Sequence, residues 1–128
     1  MLREIPLYMV RQIKGEHTRR WFTDEEFDLI VWVDERGEIV GFQLRYDKQQ
    51  DQRAVTWHHE SGFMHNRVDD GENRPGRYKL APIPVPDGLF QHEKVAEAFR
   101  RESIGIEEKV ATFVYEKLME FPTVLKDA

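Results

Sequence analysis

FDLIVWV (27–33), DERGE (34–38) and IVGFQLRY (39–46) together decide the fold of this chain. Both flanking runs are rich in β-branched and aromatic residues, the composition of a pleated and packed strand. Gly37 suits the left-handed position of a type I turn closed by a bulge, because glycine has no Cβ to clash there. Such a turn is expected to pair Val33 with Ile39, Trp32 with Val40 and Ile30 with Phe42. One face then carries Ile30, Trp32, Val40, Phe42 and Leu44, and the other Phe27, Leu29, Val31, Val33 and Ile39. With apolar residues on both faces, the first strand of this hairpin belongs in the middle of a sheet.

Working outward, RAVTWHH (53–59) alternates as a third strand after the polar turn DKQQDQ (47–52). Upstream, Ile5, Leu7, Met9 and Ile13 alternate, Gly15 begins a turn, and HTRRWF (17–22) is placed to return as a partner. TDEE (23–26) has the spacing of a capping box but precedes a strand pattern, so a short turn is expected. Residues 66–88 read as irregular: DDGENRPGR is dense in turn formers, and Pro82, Pro84 and Pro86 favour an extended connector with Ile83 and Val85 packed beneath it. LFQHEKVAEAFRRES (89–103) and IEEKVATFVYEKLMEF (106–121) repeat apolar residues at helical spacing, with Pro122 as a stop. The expectation is a single α+β domain: an antiparallel meander of four to five strands with two C-terminal helices packed on one face.

The 128-residue length suits one domain, and roughly two-thirds of the unfolded chain's surface can be buried at this size. With no cysteine, disulfides, thiolate nucleophiles and sulfur-bound zinc are excluded. No apolar run reaches the length of a signal peptide or membrane span, so a cytoplasmic protein without membrane contact is expected. The net charge of −5 weighs against nucleic acid as the main partner. Charge is blocked along the chain: residues 1–22 carry five basic and two acidic groups, residues 23–38 one basic and seven acidic. Blocks of opposite sign attract each other within one chain or between two copies.

TWHHESGFMHNRVDDGE (56–72) gathers three histidines and four carboxylates. On a strand, His58 and His59 point to opposite faces, so one of them at most can join His65 and the carboxylates of Asp69, Asp70 and Glu72. If those side chains converge, His58, His65, Asp69, Asp70 and Glu72 offer general acid/base or metal-assisted chemistry. Asx turns account for the acidic run without catalysis, and no HExxH, EF-hand, nucleophile-elbow or phosphate-loop signature is present. No metal or other cofactor is expected. In RRWF (19–22), Arg19 and Trp21 share one strand face and Arg20 and Phe22 the other, a pattern that allows a small anionic ligand to meet cation and ring together. The plainer assignment pairs these arginines with Asp24, Glu25 or Glu26.

RRWF, DEEFDLIVWVD, GFQLRYDK, AVTWHH and RVDDGE, spread over most of residues 17–88, resemble an uncharacterised family of small bacterial proteins. That resemblance implies a single-domain bacterial protein of the cytoplasm and carries no activity, ligand or site residue with it. The preferred functional expectation is a non-enzymatic binding or protein-interaction module able to form a homodimer. The alternative is a hydrolase-like enzyme, metal-dependent in one form, built on residues 58–72.

Overall fold

A computed structural model describes residues 1–48, 52–67 and 91–121. Six strands, β1 (Arg3–Glu4), β2 (Thr18–Thr23), β3 (Asp28–Val33), β4 (Ile39–Tyr46), β5 (Arg53–His58) and β6 (Gly62–Arg67), precede two helices, α1 (His92–Glu102) and α2 (Glu108–Glu120). The strands form one antiparallel sheet in the order β1-β2-β3-β4-β5-β6, each beside its neighbour in sequence. The fold is the expected α+β meander, with slightly more strands.

The central hairpin turn forms as its chemistry dictates. Gly37 has φ +82°, its N–H donates to the Asp34 carbonyl, and Asp34 Oδ1 accepts the N–H groups of Arg36 and Glu38. The register departs from expectation one residue later. Val33 faces Ile39, but Trp32 faces Gly41 and Val31 faces Phe42, so Val40 is the extra residue of a bulge. One inserted residue moves everything beyond it to the other side of the sheet. Phe42 and Leu44 therefore join Leu29, Val31 and Val33, while Ile30 and Trp32 lie on the opposite face.

Two other expectations fail locally. The N-terminal strand is only two residues long, because Pro6 has no N–H for the ladder and the chain turns into a single 3-10 turn at Leu7–Met9. Those three residues are exposed, where alternation predicts every second one inside. The histidine-rich stretch, in turn, contains a whole hairpin. His59, Glu60 and Ser61 turn the chain, Gly62 takes φ +82°, and β6 returns along β5. TDEE is a turn as expected, with Asp24 Oδ1 accepting the N–H groups of Glu26 and Phe27. The acidic run and the proline connector lie outside the described residues.

Both helices pack on the face carrying Phe22, Leu29, Val31, Phe42, Leu44 and Val55. Ala96 and Phe99 of α1, and Val110, Val114 and Leu118 of α2, complete that core. Phe99 meets Phe27 edge-on at 6.0 Å, and Phe113 meets Trp57 at 5.4 Å. Phe27 and Phe99, both buried, each contribute about 1.5–3 kcal/mol by leaving water.

Candidate binding face

The helix-free face of the sheet is laid out by strand register into three rows. The first runs Arg19, Trp32, Gly41, His58; the second Trp21, Ile30, Gln43, Thr56; the third Arg3, Thr23, Asp28, Arg45. Trp21, Ile30 and Trp32 are half-buried and stand outside the main core. Gly41 makes room for the first row. A Cβ there would sit 2.9 Å from the Trp57 carbonyl oxygen, 3.0 Å from His58 Cδ2 and 3.4 Å from Trp32 Cε3. The indole and the imidazole therefore both lean over the glycine.

Polar groups on this face are wired to one another. Arg45 Nε donates to Gln43 Oε1 at 3.3 Å, and Gln43 Nε2 donates to Thr56 Oγ1 at 3.2 Å. The Asp28 carboxylate accepts from Thr23 Oγ1 at 2.6 Å and faces Lys48 Nζ at 3.2 Å, so its charge is met locally. The arginines are not matched in the same way. Arg3 and Arg45 form no ion pair among the described residues, and Arg19 reaches only the half-exposed Glu16 at 3.6 Å. Arg19 Nε is buried with no hydrogen-bond partner among the described residues. In a chain of net charge −5, this face is locally cationic.

Of the residues singled out from sequence, Arg19 and Trp21 lie on this face, as alternation requires. Arg20 lies on the other, where its guanidinium meets Glu4 at 2.9 Å and Glu107 at 3.0 Å and covers the Phe22 ring at 5.3 Å. It ties β1, β2 and the start of α2 together, a structural task. Neither arginine pairs with Asp24, Glu25 or Glu26. Glu4 and Glu107 are remote in sequence, so local spacing could not reveal them.

His58 and His65 are not brought together. His58 lies on the helix-free face, opposite Gly41 and Gly62, whereas His65 pairs with Val55 on the helix-covered face. Asp69, Asp70 and Glu72 lie outside the described residues. His58 and His59 do approach each other, with ring centroids 4.9 Å apart, because His59 has already left the strand. His58 Nδ1 accepts the Glu60 N–H at 3.2 Å, which leaves the proton of the neutral ring on Nε2. Among the described residues no three His, Asp or Glu side chains are grouped to hold a metal ion.

His65 has a different environment. It is 5% exposed and shares a 2.6 Å hydrogen bond between Nε2 and the Tyr46 hydroxyl. Burial, reinforced by the Arg53 charge, pushes its pKa down to about 4, and burial raises that of Tyr46. His65 is thus a neutral core group at pH 7.

The rows also contain residues that sequence reading missed as a group: Trp32, Gln43, Arg45 and Thr56. A straight pairing hid them by placing Trp32 with Phe42, whereas the bulge at Val40 sends the two to opposite faces. The one available signal was Gly41, a glycine inside a strand, which marks a bulge or a close approach. Among the described residues no helix is long and apolar enough to cross a membrane. Comparison with known proteins finds no matching family model, no similar curated protein and no similar solved structure.

Proposed function

We propose that this chain is a non-enzymatic interaction module whose helix-free sheet face receives a short acidic segment of a protein partner. The observation that carries this reading is the charge on that face: Arg3, Arg19 and Arg45 surround two half-buried tryptophans, and among the described residues only Arg19 meets a carboxylate, that of Glu16 at 3.6 Å, in a chain that is acidic overall. Arg and Trp are the side chains that concentrate binding energy at protein interfaces. The rows of Arg19 and Arg45 are about 13 Å apart along the strands, too far to clamp one small anion and well suited to an extended segment with spaced acids.

A protein segment fits better than a nucleic-acid strand. Glu16, Glu35 and Glu60 stand in or beside the turns at the Arg19 and His58 end, so a long polyanion crossing the face meets like charge. Residence in the cytoplasm belongs to this reading and is supported by the cysteine-free composition.

The test is to pan the whole protein against a displayed library of random linear peptides. Enrichment of peptides with Asp or Glu around an aromatic or aliphatic residue, lost in Arg19→Glu and Arg45→Glu, is the expected outcome. Selected peptides without acidic bias, or binding indifferent to both reversals, defeats the proposal.

A further inference from the structure

We infer that two copies of this chain associate antiparallel along the sheet edge where residues 5–12 cover β2. Residues 5–12 run along that edge. The Ile5 N–H donates to the Trp21 carbonyl at 2.8 Å, and the Gln12 side-chain amide both donates to the Arg19 carbonyl and accepts the Arg19 N–H at 2.9 Å. Between these two anchors the Leu7–Met9 turn projects outward. Leu7 is 52% exposed, Tyr8 88% and Met9 61%. The turn is nonetheless firmly held. Ile5 and Val10 on either side are buried, and the Met9 and Val10 N–H groups donate to the carbonyls of Pro6 and Leu7. Three consecutive apolar side chains displayed on a fixed turn are a contact waiting for a surface.

Charge says which surface. At the start of β2 stand Arg11 and Lys14, both exposed and without an ion pair among the described residues. At its end stand Glu25 and Glu26, equally exposed and equally unmatched among them, on a tip fixed by the Asp24 side chain. Six strand residues separate the two ends by about 20 Å, so they do not neutralise each other within one copy. Neighbouring charges are already met: Arg19 faces Glu16, Arg20 faces Glu4 and Glu107, and Glu38 faces Lys109. Arg3, opposite Thr23, offsets part of the acidic end, on the helix-free side.

The edge is therefore positive at one end, apolar in the middle and negative at the other. A second copy turned by a twofold axis through the middle sets each basic end against the partner's acidic end and stacks the two apolar turns, with Tyr8 nearest the axis. Such a contact is self-complementary, as a closed dimer requires. It uses the strand edge and not the helix-free face, so it stands or falls independently of the acidic-segment proposal.

Sedimentation velocity on the full chain, from micromolar to millimolar concentration and at two salt levels, tests it. The expected result is a dimer that salt weakens and that Tyr8→Ser weakens by about tenfold. The double variants Arg11→Glu with Lys14→Glu, and Glu25→Lys with Glu26→Lys, are each expected to be monomeric. An equimolar mixture of the two is expected to dimerise again, because both contacts of the mixed pair regain opposite charges. That recovery cannot come from misfolding. A wild-type chain that stays monomeric at millimolar concentration, a dimer that neither reversal disturbs, or a mixture that stays monomeric overturns the inference.

Discussion

The two faces of one sheet have opposite chemistry although they alternate residue by residue along the same strands. The helix-covered face is closed by Phe22, Leu29, Phe42, Leu44 and Val55, all fully buried. The helix-free face presents Trp21 and Trp32 half-buried beside arginines with little or no carboxylate to meet them. Packing explains the first completely. It does not explain the second, since a face needed only for solubility has no use for two indoles. On the proposed function, what separates the faces is a division between stability and recognition, and substitutions on either side can break or sharpen it.

The largest effect is expected on the covered face. Phe42→Ala is predicted to lower unfolding stability by about 4 kcal/mol, whereas Trp32→Ala, opposite Gly41 on the other face, costs about 1 kcal/mol. Urea denaturation of the two variants measures both, and equal losses would erase the division. Next comes the response to acid. His65 is neutral in the folded chain down to about pH 4, while an unfolded histidine takes up a proton near 6.5. Stability is therefore held above pH 6.5 and falls as pH drops toward 4, by about 2 kcal/mol between pH 7 and 5. His65→Gln, which keeps a partner for Tyr46, is expected to flatten that slope, and an unchanged slope would assign the acid response elsewhere.

Smaller again is Gly41→Ala, where the added methyl meets the Trp57 carbonyl oxygen at 2.9 Å. Backbone has to move, and about 1.5 kcal/mol should be lost in thermal or urea unfolding. Arg45→Ala is expected to change stability by no more than about 0.5 kcal/mol. Its effect belongs to recognition: an acidic peptide selected on the wild-type chain should bind about tenfold more weakly, as read by fluorescence titration.

Much of the covered face was legible from local signals. The Gly37 turn, the alternation in 27–33 and the stripe Val110, Val114, Leu118 each follow from a backbone rule that needs no distant neighbour. The free face was less legible because it depends on register. A single bulge at Val40 reassigns Trp32, Gln43 and Arg45, and nothing in the spacing of hydrophobic residues separates that bulge from a straight pairing. Arg20 was misassigned for the same kind of reason, since Glu107 lies far along the chain. The histidines show the converse. Their density in the sequence raised a shared site only as the alternative, and the alternation of β5 and β6 sends His58 and His65 to different sides.

The chain's three tryptophans make the central claim directly measurable, because Trp21 and Trp32 lie on the free face and Trp57 lies on the covered one. Their indole N–H resonances, followed by two-dimensional NMR while a selected acidic peptide is added, should divide: those of Trp21 and Trp32 shift with saturation and that of Trp57 stays in place. Movement of Trp57 with the other two unchanged would put recognition on the helix side and contradict the account.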